Sequence, residues 1–336
     1  MSAPRLRFSI VTPTHRRPRS LLRMLDALSE QTYPAECFEV VVVIDGPDTF
    51  DESLAMREYP FRCRVVNQVK GGPAAARNRG LELATEPYVL FLDDDVIPAR
   101  SLVEQHALAH AEPNLVVIGP LLAADETRPA PWAKWEWTTL SEQYRAMQAG
   151  DWTPTPRQFY TGNASVGADH VRAAGGFNQA FTRGEDVELA WRLHDRGLRF
   201  VFNPDAAAKH LARRSFSAWL SAAHDYGRTD VMLERIRTGD DLPGWVKREF
   251  QGRHRYTRLL TRSVLAQPLL WRALPGCGFA VTVAAQTSGL NAAAMQLCSA
   301  LFTAAYWRGV AGQLGRERAL ELTRQDPAPR TAETTA

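Results

Sequence analysis

The chain has 336 residues, of which 45% are hydrophobic and 23% charged. That composition belongs to a globular protein with a sizeable core and excludes a disordered chain. A net charge of +3 is too small to point to a nucleic-acid partner. The four cysteines, Cys37, Cys63, Cys277 and Cys298, lack metal-type pairing and read as reduced thiols of a cytosolic protein. Residues 1–7 lead into no apolar leader core, so no signal peptide is expected.

In chain order, residues 8–11 are a short apolar run, and 18–31 place Leu21, Leu22, Leu25 and Leu28 at helical spacing. Residues 38–44 are mostly β-branched and apolar, as a strand covered on both faces requires. Residues 62–67 predict a strand, 73–84 a helix opened by Pro73, 88–92 a strand, 101–111 a helix and 115–119 a strand. This alternation predicts an α/β fold, a mostly parallel sheet with helices on both faces. Residues 132–152 are aromatic and mixed in charge, without strand rhythm. Residues 159–166 and 199–202 predict two more strands, separated by a helix over 184–196 that carries Val187, Ala190 and Leu193. From Phe216 almost to Leu322 the chain reads as helical, and the tail after Gln325 as disordered.

Ligands of such sheets sit beyond the carboxyl ends of the strands. Asp93, Asp94 and Asp95 directly follow the apolar strand 88–92. Adjacent carboxylates repel one another, and a divalent cation relieves the repulsion. Hard oxygen ligands suit Mg²⁺ or Mn²⁺, which also hold a diphosphate. The alternative is a solvated acidic turn, which the apolar strand before it disfavours. Other strand ends add Thr12, Pro13 and Thr14, then Asp45 and Asp48, then Lys70 before Gly71-Gly72-Pro73 and Arg77. Singly each is an ordinary turn; jointly they set backbone N–H groups, an acid and cations around one crevice suited to a nucleoside diphosphate. Glu185 and Asp186 open a helix after Gly184, where one acid is explained as a cap and two are less well explained. Asp186 is the candidate general base, and His210, at a strand exit, the candidate second metal ligand.

These residues resemble family 2 glycosyltransferases, which have the GT-A fold, over roughly residues 7–230. The matching pieces are Val11-Thr12-Pro13-Thr14-His15-Arg16, Val43-Ile44-Asp45-Gly46, Gly72-Pro73-Ala74-Ala75-Ala76-Arg77-Asn78, Leu92-Asp93-Asp94-Asp95, Ala174-Gly175-Gly176-Phe177 and Gly184-Glu185-Asp186-Val187-Glu188-Leu189. The resemblance implies an inverting, metal-dependent transferase with a nucleotide-sugar donor, expected to be a UDP-sugar. Its acceptor would be a saccharide or lipid-linked hydroxyl, in polysaccharide or glycolipid synthesis. It implies that Asp45 contacts the donor's base with Thr12, Pro13 and Thr14 lining the pocket. Arg77 would lie near the nucleotide, Asp93 near the ribose and Asp94 on the donor-binding side. Asp95 would be the direct metal ligand, His210 a further one, and Asp186 the base, supported by Glu185. Many members carry two adjacent acids where this chain has Ile44-Asp45. The corresponding division is a catalytic domain over 1–230, with a nucleotide-sugar half to 120 and an acceptor half beyond, a helical region over 231–322 and a tail over 323–336.

Three other readings fit parts of the pattern. Asp93-Asp94-Asp95-Val96 also fits a haloacid dehalogenase-type phosphohydrolase, but that family carries the motif on its first strand. A nucleotidyltransferase needs a glycine-rich loop after the first strand, and residues 12–17 hold no glycine. A non-enzymatic, membrane-docked carbohydrate-binding protein leaves the acids unexplained.

Between Arg272 and Arg308 there is no charged residue. Gln286, Thr287, Ser288, Gly289 and Asn291 interrupt the stretch, which predicts two apolar helices rather than one membrane span. Lys247, Arg248, Arg253, Arg255, Arg258 and Arg262 precede it, and Trp271, Phe279, Phe302, Tyr306 and Trp307 flank it. The expectation is peripheral contact with the cytoplasmic face of a membrane. The competing expectation is apolar packing on the catalytic domain or in a homodimer.

Overall fold

A computed structural model describes residues 5–47, 57–124, 129–211 and 214–324. Asp48 and the tail from residue 325 lie outside the described residues. The chain forms two compact units: Met1–Asp125 with Ser141–Ala212, and Glu126–Leu140 with Arg213–Ala336. These units divide the chain at other positions than the functional division expected near residue 230.

The first unit is built on a seven-stranded sheet in the order β3-β2-β1-β4-β8-β6-β9. Its strands are β1 (Phe8–Thr14), β2 (Phe38–Asp45), β3 (Arg62–Gln68), β4 (Tyr88–Leu92), β6 (Leu115–Ile118), β8 (Asn163–Gly167) and β9 (Arg199–Phe202). Alternate residues feed opposite faces, as the two-residue period of a strand demands. Phe8, Ile10, Val40, Val42, Leu90 and Leu92 pack with α1 (Pro18–Ser29) and α3 (Leu102–Ala109) in one core. On the other face Val11, Val89 and Phe91 pack with α2 (Gly72–Leu83), α5 (Ala168–Ala173) and α6 (Glu185–Asp195). A Cβ on Gly80 would stand 2.3 Å from Val11 Cγ1, so only glycine lets α2 lie this close to β1.

The sheet is mostly parallel, as expected, but β8 runs antiparallel to both β4 and β6. The expected strand over 159–166 is shorter than its apolar run suggests. Residues Pro156–Gln158 form a 3₁₀ turn closed by reciprocal bonds between Thr155 and Gln158, and Phe159 is buried without being in a strand. Parallel pairing sets the ends of β1, β2 and β4 on one edge, and the antiparallel β8 begins there, with Asn163 opposite Leu92.

A small sheet escaped the sequence reading. Its strands β5 (Val96–Pro98), β10 (Ala208–His210) and β7 (Leu121–Ala123) are too short to show a period. It sets His210 opposite Val96, next to the acidic triplet.

Helix α4 (Pro131–Ala149) spans the division between the units. The second unit otherwise comprises α7 (Phe216–Arg237), α8 (Gly244–Gly252), α9 (Arg255–Ala266), α10 (Leu270–Thr287), α11 (Asn291–Leu314) and α12 (Arg316–Arg324). Gly227 and Gly309 let α7 and α11 touch backbone to backbone: a Cβ on either would fall about 2 Å from a carbonyl oxygen of the other helix. The uncharged stretch is indeed two helices, α10 and α11, and among the described residues no helix is long and apolar enough to cross a membrane. Trp307 is buried with Phe250, and Phe302 packs on Trp135 and Trp219, inside the unit. That corrects the reading of these aromatics as interfacial flanks: α11 is apolar because it is the core helix of its unit.

Candidate active site

The triplet after β4 splits three ways. Asp93, the most accessible of the three, accepts a hydrogen bond from Arg77 Nη2 at 2.8 Å. Asp94 turns inward and accepts from Thr14 Oγ1 at 2.6 Å and from Arg17 Nη1 at 3.1 Å. Asp95 accepts from Arg17 Nη1 at 2.6 Å through Oδ2, while its Oδ1 lies 3.4 Å from His210 Nε2. The sequence reading treated the triplet as a bare cluster needing a metal for neutrality. Two arginines already serve that end, so repulsion alone does not call for a cation.

Asp94 and Asp95 titrate in opposite directions. Burial pushes Asp94 up to about 6, against the hydrogen bond from Thr14 and the charge of Arg17. Burial acts on Asp95 in the same sense, but His210 and Arg17 outweigh it and hold that carboxylate below its usual range.

Arg77 links the triplet to α6. Its guanidinium is buried, donates to Glu185 Oε1 at 2.7 Å as well as to Asp93, and lies 5.8 Å from the Phe177 ring. Burial opposes its charge, yet Asp93, Glu185 and Asp186 together keep its pKa above the ordinary value. Asn78 holds Phe177 by both backbone groups, accepting from its N–H at 2.7 Å and donating to its C=O at 2.8 Å. Both residues stand in the family motifs, where the sequence alone gives neither a task. Helix α6 starts at Gly184, whose φ of 75° is open to glycine at little cost. Asp186 Oδ1 accepts from Val187 N–H at 2.8 Å. Its desolvation, reinforced by Glu185 and opposed by Arg77, raises it to about 7. A carboxyl group tuned to that range suits proton abstraction at neutral pH.

The nucleotide side is differently arranged than the sequence suggested. Asp45 does not stand open: its Oδ1 accepts from Gln68 Nε2 and Gly71 N–H, and its Oδ2 from Gly72 N–H, at 2.7–2.9 Å. The backbone donors read as a phosphate cradle are therefore spent on Asp45, which fixes the loop before α2. Lys70 in that loop is exposed and adjoins Gly46. Thr12 is fully buried and its hydroxyl has no hydrogen-bond partner among the described residues; Thr14 is buried against Asp94; only Pro13 of the three is partly accessible. Thr12 and Thr14 thus shape the strand end from within and do not line an open pocket.

A second polar cluster was invisible in the sequence. His106 and His110 are buried behind β8, bonded to Ser165 and Asn163 at 2.8–2.9 Å. Two neutral histidines at helical spacing give no signal that separates them from surface residues.

The sequence profile of glycosyl transferase family 2 matches residues 9–172. The chain is 30% identical over 308 residues to a pre-mycofactocin glycosyltransferase of Mycobacterium tuberculosis, covering 87% of this chain and 64% of that protein. It is 34% identical over 222 residues to a validoxylamine A glucosyltransferase of Streptomyces hygroscopicus, covering 56% of this chain and 52% of that one. The chain thus spans about two thirds or less of the length of these relatives. Among solved structures, the mannosyltransferase PcManGT from Pyrobaculum calidifontis, in complex with GDP-Man and Mn²⁺, shares the fold with a TM-score of 0.60. That likeness carries 21% identity and covers 91% of this chain and 88% of that one. The architecture is that of a GT-A glycosyltransferase. Through the matched domain the chain belongs to glycosyltransferase family 2.

Proposed function

We propose that this chain is an inverting glycosyltransferase that moves a sugar from a nucleoside diphosphate sugar to an acceptor hydroxyl. The observation that carries the reading is a pair of unlike carboxyl environments in one unit: Asp95 held ionised beside His210, and Asp186 raised to about 7 at the head of α6. Pairs of acids pushed apart in this way mark acid–base assignments.

Asp95 and His210 form an oxygen–nitrogen pair that suits Mn²⁺ or Mg²⁺. Among the described residues no group of three or more such ligands is present. A two-ligand site fits a cation that completes its shell with substrate phosphates and water. Such a cation, when bound, neutralises charge on the leaving diphosphate. Asp186 takes the proton of the acceptor hydroxyl as its oxygen bonds to the anomeric carbon and the bond to the diphosphate oxygen breaks; attack from the face opposite the leaving group inverts that centre. Arg77, by gripping Asp93 and Glu185, holds the head of α6 so that Asp186 is aimed at the acceptor. Asp93, Asp45, Lys70 and Pro13 form the donor side, and Thr12, Thr14 and Asp94 shape the end of β1 behind it. With three hydrogen bonds accepted, Asp45 retains about one lone-pair direction for the base.

A UDP-sugar is the first donor to test. The fold neighbour binds GDP-mannose, and one relative is named a glucosyltransferase, so mannosyl and glucosyl donors belong in one panel. Release of nucleoside diphosphate from UDP-, GDP- and TDP-sugars is to be measured with Mn²⁺ and with excess EDTA. At least one donor is expected to turn over, with loss of turnover in EDTA and in Asp95→Ala. No turnover of any donor, or full turnover in EDTA, would contradict the reading.

We also propose that α9 and α10 contact an anionic membrane surface where a lipid-linked acceptor would lie. From residue 251 to 315 the chain carries six arginines and no Asp or Glu. Leu259, Leu269, Val281 and Leu290 are each more than half exposed on the same stretch. Cationic charge with exposed apolar side chains favours an anionic leaflet. Co-sedimentation with phosphatidylglycerol vesicles but not with phosphatidylcholine vesicles is expected; a homodimer that binds neither would refute membrane docking.

A further inference from the structure

Arg17 has no part in the scheme above, yet it contacts two carboxylates of the acidic triplet at once. It stands between β1 and α1, and its Nη1 bridges Asp95 Oδ2 at 2.6 Å and Asp94 Oδ1 at 3.1 Å. The other oxygen of Asp95 faces His210 at 3.4 Å. Both oxygens of the candidate metal ligand are therefore engaged by protein groups. A divalent cation arriving at Asp95 meets a guanidinium already at ion-pair distance, and like charges so close oppose one another.

The arginine is also free to leave. More than half of its side chain is exposed, whereas Asp94 and Asp95 are nearly buried. Arg16 before it has a φ of 54°, a left-handed turn that is uncommon for a residue other than glycine. That turn lifts the chain out of β1, and Pro18 starts α1 immediately after. Arg17 thus caps α1 through its carbonyl, which accepts from Leu21 N–H, while its side chain stands on the surface. Its planar fork matches phosphate oxygens as well as it matches carboxylates.

We infer that Arg17 is an exchangeable counter-ion of the metal position: it holds Asp95 and Asp94 in the donor-free protein and passes to the donor's diphosphate when a divalent cation takes its place. This rests on the reading of Asp95 and His210 as metal ligands. Its consequence is that metal and nucleotide bind together. The metal alone is resisted by Arg17, while the metal with a diphosphate offers the guanidinium a new anionic partner. Arg17 is here a positioning residue that couples two ligands.

The test is Mn²⁺ binding by calorimetry to the donor-free protein, in wild type, Arg17→Gln, Arg17→Lys and Arg23→Gln, the last removing a charge from the exposed side of α1. Arg17→Gln is expected to bind Mn²⁺ alone about fivefold to tenfold tighter, the scale of one charge-assisted contact discounted for exposure. Arg17→Lys and Arg23→Gln are expected to stay within about twofold of wild type, since a point charge either persists or was distant. Saturating UDP, with GDP in a parallel series, is expected to tighten Mn²⁺ binding to wild type more than to Arg17→Gln. Adding Asp95→Asn to Arg17→Gln is expected to abolish the gain. Equal or weaker Mn²⁺ binding in Arg17→Gln, an equal gain in Arg23→Gln, or a gain that survives Asp95→Asn would each overturn the proposal. Failure of the catalytic reading would appear elsewhere, as donor turnover persisting in EDTA.

Discussion

Strands β4 and β8 are hydrogen-bonded neighbours, yet the polar groups they carry are settled in opposite ways. Behind β8, Asn163 Nδ2 donates to Pro120 and Ala206 carbonyls, so its Oδ1 accepts from His106 Nε2–H. His106 Nδ1 then accepts from the Ser165 hydroxyl, whose oxygen accepts from His110 Nε2–H. Every member has a partner while neutral, and burial drives His106 down to about 4 and His110 to about 3. At the end of β4 the groups are charged, and neighbouring acids end in different states: Asp95 below its usual range, Asp94 near 6 and Asp186 near 7. The neutral cluster is closed and ties α3 to β8; the charged one is kept in tension, which is what binding and proton transfer require.

The sharpest way to break this contrast is Asp186→Asn. Transfer is expected to fall about 10²- to 10⁴-fold, the usual worth of a general base, with nucleotide affinity little changed by calorimetry. The same variant carries a stability signature. Because the folded pKa of about 7 lies above the ordinary 3.8, ionisation of Asp186 costs the fold. That cost is absent below about pH 4, grows as pH rises towards about 7 and is complete above it. Thermal melts should therefore show Asp186→Asn gaining on wild type across that window and levelling off above it. A constant difference across pH would mean that Asp186 is ordinarily solvated.

Arg77→Met comes next. Removing one partner of a buried ion pair leaves Glu185 uncompensated, and a loss of about 3–5 kcal/mol in urea unfolding is expected. A loss under about 1 kcal/mol would show that the grip on α6 is dispensable. In the neutral cluster, His106→Ala is expected to cost about 2–3 kcal/mol through unpaired Asn163 and Ser165, with donor affinity unchanged where the protein is folded. A shift in donor affinity would instead tie that cluster to the site. The smallest effect belongs to the second unit. Val281→Ser on α10 is expected to change stability by less than about 0.5 kcal/mol while weakening sedimentation with anionic vesicles.

Much of the first unit was legible in the sequence because β2 is buried along its whole length and α1 carries a clean apolar stripe. The acids after β4 were legible for the same reason: an apolar strand ending in three carboxylates has few structural explanations. What escaped were relations between distant residues. Nothing near Arg17 says that it will reach Asp95, 78 positions away, and nothing near Asp45 says that it will consume the N–H groups of Gly71 and Gly72. The roles of the two helices in the uncharged stretch were hidden for a related reason. Hydropathy alone does not separate α11, buried inside its unit, from α10, whose Val281 stands exposed.

The central claim is that Asp186 is the base for sugar transfer, and the pH dependence of kcat with saturating donor, acceptor and Mn²⁺ tests it most directly. The raised carboxyl makes kcat rise with pH through about 7 and then flatten, with that limb absent from the residual rate of Asp186→Asn. A kcat that is flat between about pH 5 and 9, or the same limb in wild type and Asp186→Asn, would contradict the account.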